Sequence, residues 1–508
     1  MNSAVSESTT DRPRHPWLKP INLAFVPGSM TALSEEVVEG LLQHSRLQGH
    51  RIQAMPDDDT DVILTTAAFG APLNWRQALM LSSRRQFKLQ RTPAVYTMLH
   101  VDPVEFQELL DHFEVALSKE PPDASDFEYP GLAPTAYQTL IEQGRRGGPI
   151  LSLERLLQAQ AKCIRILLLV GDERPEAVYH FDLVGAYPRS EADDDLSAFY
   201  DDIVLRIVTT VCTDEVTQHQ VVDRPIPHPV WQGLSTPKAM TKAARQLGDR
   251  NFFTKMVRIA DLVHVPSVGD AVAEQYSEGC FSTWDTDLGA LIATITGSAR
   301  PVKKSDISEE DLAVIVGVRP DGKGALVREV EGKQNSPPSS EALEMIDMDT
   351  ALPTLFLKGD WGDSEDEPTS DPAVSPKVPV ARSKLHGHRG IRAYHPDYVE
   401  FVPLYPQYYH YIVSCATGAQ AQGIKDAFAR SAALQNPDDP RQVVFTVLPG
   451  HGTMIAEKWV PGKVPFEIIW EYMDAGYLQV DNRIPQGPMA YAPGPDGLMV
   501  LVLDPATT

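Results

Sequence analysis

Cysteine is scarce in this chain. Cys163, Cys212, Cys280 and Cys415 are the only four in 508 residues, and no two form a CxxC pair. That excludes a dense disulfide framework and a cysteine-rich zinc module, and it fits reduced thiols in a cytoplasm. No apolar run approaches the ~20 residues needed to span a bilayer, so no membrane partner is expected. Residues 1–20 are polar and proline-containing, without the apolar centre of a signal peptide. Residues 1–17 read as a loose tail. Positive charge is also in deficit, with 45 Lys and Arg against 69 Asp and Glu and a net charge of -24. A phosphate backbone needs clustered basic residues, so no nucleic-acid partner is expected. There is no GxGxxG fingerprint and no internal repeat.

What the chain does contain is enough apolar sequence, 43%, for a globular protein of more than one core. Apolar runs at 21–27, 61–69, 93–100 and 164–170 predict buried strands, and the β-branched run 203–211 predicts another. Helical periodicity marks 34–47, 103–117 and 151–162, with Ser34 as the expected N-cap. This alternation predicts a Rossmann-like α/β domain over 18–235. Its one phosphate-loop candidate, Pro27-Gly28-Ser29, has a single glycine and reads as an ordinary strand-to-helix turn. A largely helical stretch at 235–262 opens a second domain, 238–508. The acidic, proline-rich segment around Trp361-Gly362-Asp363-Ser364-Glu365-Asp366 cannot bury a core and predicts an insertion at about 342–382.

The second half carries a series of short motifs in a fixed order. Gly279-Cys280-Phe281-Ser282-Thr283-Trp284 reads as a small-residue turn, and Thr296-Gly297-Ser298-Ala299 as a second. An acidic connector runs through 306–315, and Pro338-Ser339-Ser340-Glu341 follows. Later come Ile391-Arg392-Ala393-Tyr394-His395-Pro396-Asp397, Phe401-Val402-Pro403-Leu404-Tyr405-Pro406 and Leu448-Pro449-Gly450-His451-Gly452. Small residues let a backbone approach an anion closely, and hydroxyls add donors.

Over about 238–490 this order resembles the class II aldolase/adducin family. The resemblance implies an αβα domain and a metal-dependent lyase or epimerase acting on a small hydroxy-carbonyl, sugar-like substrate. It gives Glu341 the role of general base and Thr296, Gly297, Ser298, Ser339 and Ser340 the role of substrate binding. The family's divalent metal, zinc or another, sits on three histidines. His451 matches one of them, but the other two positions hold Pro403 and Tyr405. Tyr405 and His410 are then the further candidate ligands. His386 and His388 have the spacing of one strand face, although this register puts His388 on a helix before the strand. A homo-oligomer fits the same resemblance. Loss of the two histidines equally fits a non-catalytic, adducin-like binding or assembly module. A third reading rests on Glu278, Asp285, Asp287 and Gly289-Ala290-Leu291, which resemble the acidic metal-binding segment of sugar isomerases.

Overall fold

The structure is a computed structural model describing residues 17–68, 93–119, 165–172, 176–181, 186–189, 196–213, 217–250, 252–253, 279–296, 304–356, 377–387, 390–392, 395–405, 416–448, 452–481, 491–493 and 499–501. The chain is mixed α/β, with one largely parallel sheet and one largely antiparallel sheet. Strands β1 (Asn22–Val26), β2 (Arg51–Gln53), β3 (Val62–Ala68), β4 (Ala94–Val101) and β5 (Ile166–Val170) pair in parallel, in the order β2-β1-β3-β4-β5. Strands β6 (Ala177–Phe181) and β7 (Ala186–Arg189) extend the sheet antiparallel. Helices α1 (Ala32–Leu47), α2 (Pro103–Ser118) and α3 (Ser197–Cys212) belong to this half.

The parallel strands are continuous apolar runs because both faces are covered. Leu64, Tyr96, Met98 and Leu167 pack with residues of α1 and α3, while Val95, Leu99, Ile166 and Leu168 on the other face are equally buried. Gly28 follows β1 and lies hard against β3. Its N–H donates to Thr66 Oγ1 at 3.1 Å, and an added Cβ would stand 2.0 Å from the Thr66 carbonyl oxygen. Close chain approach therefore explains this glycine.

Two local expectations for this half need correction. The N-cap of α1 is Thr31, whose Oγ1 accepts the Ser34 N–H at 3.2 Å while Ser34 Oγ accepts the Thr31 N–H at 2.7 Å. Ser34 is the reciprocal member of a capping box. The segment expected as a strand over 203–211 is instead part of α3. Its β-branched residues Ile203, Ile207 and Val211 recur every fourth position and are all buried with α1. Buried Arg206 also pairs with Asp202 at 2.8 Å, a contact that helical spacing creates. Packing overrides propensity here.

The second half begins with β8 (Gln220–Ile226), α4 (His228–Gly233) and α5 (Thr236–Asp249). Strands β9 (Cys280–Asp285), β10 (Ala290–Thr294), β11 (Leu312–Val318) and β12 (Ala325–Val330) form a meander. Helix α6 (Ala342–Asp347), strands β13 (Thr354–Phe356) and β14 (Lys377–Pro379), then β15 (Ala381–Gly387), β16 (Gly390–Arg392) and β17 (Val399–Phe401) follow. Next come α7 (Gly418–Phe428), α8 (Ala432–Gln435), β18 (Val443–Leu448), β19 (Gly452–Lys458) and α9 (Glu467–Asp474), and three short strands, Gln479–Asp481, Tyr491–Pro493 and Met499–Leu501, end the order. The nine-stranded sheet runs β17-β18-β19-β15-β9-β10-β11-β12-β8, antiparallel except for the β17/β18 and β12/β8 pairs.

Alternation along the strands sends side chains to two cores. Phe281, Ile292, Leu385 and Ile455 pack on one face with Met240 and Leu247 of α5 and Ile468 and Ile469 of α9. Cys280, Leu291, Ala293 and Met454 pack on the other with Leu343 and Met345 of α6 and Ile424 and Phe428 of α7. Among the described residues no helix is long and apolar enough to cross a membrane.

Three further expectations are corrected here. Strand β8, within the stretch expected to belong to the first domain, pairs with β12 in the second sheet. The first small-residue turn, 279–284, is mostly strand β9, with Cys280 to Thr283 all buried. Gly279 alone turns, at φ 101°, and a Cβ there would meet the His386 carbonyl oxygen at 2.9 Å. The stretch before His388 is strand β15, not helix, and His388 itself lies outside the described residues.

The insertion is also narrower than 342–382, since α6, β13, β14 and the start of β15 occupy its flanks. Leu355 pairs with Val378, which ties the two flanks together. An engineered protease site between 357 and 376 should therefore give two fragments that co-elute under native conditions. Separation of the fragments on native size exclusion would contradict this pairing.

Candidate functional site

The two candidate substrate-binding segments meet at one end of the second sheet. Ile295, just past β10, forms an antiparallel bridge with Pro338. The Thr296 N–H donates to the Pro337 carbonyl at 3.0 Å, and the Ser339 N–H donates to the Thr294 carbonyl at 2.9 Å. Lys304 Nζ donates to the Ile295 carbonyl at 2.8 Å. Gly297 and Ser298 lie outside the described residues. Thr296, Ser340 and Glu341 are partly exposed, whereas Ser339 is buried. Ser339 Oγ donates to Glu341 Oε2 at 2.7 Å, which fixes one carboxylate oxygen of the candidate base.

The Pro-Ser-Ser-Glu segment is also held from behind. His219 Nδ1 accepts the Ala325 N–H at 3.1 Å, which leaves Nε2–H to donate to the Ser339 carbonyl at 3.2 Å. Thr217 Oγ1 donates to the Ser340 carbonyl at 2.8 Å. Neither Thr217 nor His219 was legible as a site residue. Both precede β8, whose place in this sheet its Asp223-Arg224-Pro225 interruption conceals.

A polar layer lies behind this end of the sheet, on the α6 and α7 face. Cys280 is opposite His386 in the β9/β15 register, and His386 is opposite Met454 of β19. The buried His386 ring donates from Nδ1 to the Thr453 carbonyl at 3.1 Å. Lys384, two residues earlier on the same face, pairs with Asp349 at 2.6 Å. Glu344 of α6 is fully buried. Burial, then the charge of Glu341, pushes its carboxyl well above the ordinary range. Burial also pushes the Cys280 thiol well up, with Glu341 adding to the shift.

Cys280 is therefore a resting thiol, because only the thiolate is nucleophilic. In the native protein at about pH 8 it should resist iodoacetamide, and it should alkylate once the chain is unfolded. Native alkylation mapped to Cys280 by mass spectrometry would contradict this.

Of the candidate metal ligands, His451 and His410 lie outside the described residues. Tyr405 has the Arg430 guanidinium 4.0 Å from its ring centroid, and Arg430 also donates to the Pro403 carbonyl. A fixed cation on that ring opposes a divalent metal beside it. Asp285, from the isomerase-like segment, accepts the Leu288 N–H at 2.8 Å and stabilises the β9–β10 turn, at the opposite end of β9 from Cys280. Among the described residues no group of three or more His, Cys, Asp or Glu is placed to hold a metal. Of the three candidate ligands, Tyr405 alone is among the described residues. No protein-family model, no curated protein and no solved structure matches the chain.

Proposed function

We propose that the second half of the chain is a class II aldolase/adducin-like unit that binds a small hydroxy-carbonyl compound, with Glu341 as the base that takes a proton alpha to the carbonyl. The observation that carries this reading is the backbone pairing of the Thr296 segment with the Pro337–Ser339 segment. It holds Thr296 next to the segment that carries Ser339, Ser340 and Glu341, which supports this reading. The layering of helices on both faces of the sheet supports it further.

In this reading Thr296 and Ser340, both partly exposed, meet the oxygens of the ligand. The Ser339 hydroxyl donates to Oε2 of Glu341 and so orients the carboxylate that takes the proton. The position of Arg430 against Tyr405 favours a second reading, a binding or assembly module that holds such a ligand without turning it over.

One experiment separates the two. Dihydroxyacetone or glycolaldehyde in deuterium oxide, with and without added zinc or manganese, should exchange its alpha hydrogen in the presence of the wild type. Glu341→Gln should abolish the exchange while leaving ligand binding detectable by calorimetry. Binding without exchange in the wild type would establish the module and remove the catalytic reading. Absence of both would remove the substrate class.

A further inference from the structure

His219 joins two parts of the second half that are far apart in the chain. Its backbone is fixed by its neighbours: the Gln218 N–H donates to the Lys323 carbonyl at 2.8 Å, and Gln220 pairs with Leu326 of β12. Its ring lies between the first residue of β12 and the Pro-Ser-Ser-Glu segment. The Ala325 N–H donates to Nδ1 at 3.1 Å, and Nε2 meets the Ser339 carbonyl at 3.2 Å. A backbone N–H can only donate, so Nδ1 carries a lone pair. A carbonyl can only accept, so Nε2 carries the proton. Both bonds exist together in one form of the ring, the neutral Nε2–H tautomer.

Ser339 passes this constraint on. Its N–H donates to the Thr294 carbonyl at 2.9 Å, and its carbonyl also accepts the Ala342 N–H at 3.0 Å, at the start of α6. Its hydroxyl donates to Glu341 Oε2 at 2.7 Å. The His219 ring therefore holds the same peptide that orients Glu341. A run of hydrogen bonds connects β12 to the candidate base: Ala325 to His219, His219 to Ser339, Ser339 to Glu341.

We propose that His219 is a positioning residue for Glu341 that works only while its ring is neutral, so that acid releases the Ser339–Glu341 segment. A second proton on the ring would set Nδ1–H against the Ala325 N–H, donor to donor, across 3.1 Å. The ring cannot turn from Ala325 without moving Nε2 from the Ser339 carbonyl, because both nitrogens belong to one rigid plane. Ala325 is fully buried, so its N–H then lacks an acceptor as well. His219 is partly exposed, and a proton from solvent can reach it. The charged groups on the elements around it are Arg319, Asp321 and Lys323 of the β11–β12 turn, Arg224 of β8, and Glu341 and Glu344 at α6. Arg319 pairs with Asp321 at 2.6 Å and donates to the Gln218 carbonyl at 2.8 Å. The start of α7, where the Ala416 carbonyl accepts the Thr217 N–H at 3.1 Å, adds no ionisable side chain over 416–418. His219 is the one histidine in this group, and histidine is the side chain that ordinarily changes charge between about pH 5 and 8.

The functional meaning rests on Glu341 being the base, but the test needs no ligand. Amide hydrogen exchange of the full chain is followed by mass spectrometry at about pH 7.5 and about pH 5.5, corrected for the intrinsic pH dependence of exchange. In the wild type, segments 322–327 and 337–343 should both lose roughly tenfold protection at the lower pH, as the loss of two ordinary hydrogen bonds predicts. In His219→Asn the side-chain oxygen stands where Nδ1 stood and does not titrate, but the side chain is too short to reach Ser339. Segment 322–327 should then stay protected at both pH values, and segment 337–343 should exchange fast at both. Should His219→Asn fail to fold, His219→Gln also removes the titration, and its protection should not change with pH. Wild-type protection of 337–343 that is the same at both pH values, or an equal loss at low pH in the variant, overturns the proposal. A chain that exchanges no ligand hydrogen but shows the pH-dependent protection would refute the catalytic reading and keep the role of His219.

Discussion

Asp349→Ala is expected to destabilise the chain by about 3–5 kcal/mol, because it strands the buried Lys384 ammonium. The side chain of Lys384 is 0% exposed and that of Asp349 is 8% exposed, and they meet at 2.6 Å between the sheet and the turn that follows α6. Burial raises Asp349 to about 6 and lowers Lys384, with each partner only opposing the shift of the other. Both groups are thus moved toward neutrality, so desolvation exceeds the attraction between them. The double variant Lys384→Met/Asp349→Leu should therefore lie within about 1 kcal/mol of the wild type, or be more stable. Urea midpoints of the two single variants and the double variant close the cycle. Additive losses in the double variant would show that the pair is not coupled.

Glu457→Gln should cost about 2–4 kcal/mol. An amide nitrogen would face either the Ile468 and Ile469 N–H groups or the Phe466 N–H, leaving buried donors unmet. The pH dependence has a definite sign. Burial pushes the carboxyl up to about 7 from 4.5, against the pull of the Ile469, Ser383 and Phe466 donors. The folded chain then binds this proton more tightly than the unfolded chain does. Its contribution is complete below 4.5 and is lost as the pH rises through about 7. Asp349, raised from 3.8 to about 6, acts in the same direction over a lower window. The wild type should therefore unfold at lower urea at about pH 8 than at about pH 5, and Glu457→Gln should flatten part of that slope. Equal slopes in both proteins would remove Glu457 as the titrating group.

The parallel strands were legible because burial on both faces makes them continuous apolar runs, as at 62–68 and 94–101. The run at 203–211 misled for the same reason, since β-branched residues at helical spacing satisfy both patterns until the neighbouring α1 decides. Strand β9 was concealed by Ser282 and Thr283, which are small and polar yet sit in the middle of a sheet. The candidate site was legible where it depends on the chain order of Thr296, Ser339 and Glu341. It was not legible where chemistry depends on distant neighbours. Glu344 sits among Leu343, Met345 and Ile346, and nothing in the sequence shows that Ala416 and Cys280 are its neighbours in the fold. Lys384 likewise reads as a surface residue until Asp349 is seen opposite it.

The place of β8 has a practical consequence for dissecting the protein. It covers the outer side of β12, and Arg224 at φ 69° followed by Pro225 interrupts the row of donors and acceptors that it turns outward. A recombinant piece begun at residue 236, where composition suggests a new unit, would discard this protecting strand. The bare margin of β12 would then be free to recruit other chains, and insolubility would be mistaken for instability. It would also lose Thr217 and His219, the two residues that grip the Ser339–Ser340 backbone. A piece begun at Thr217 would keep both of them together with β8.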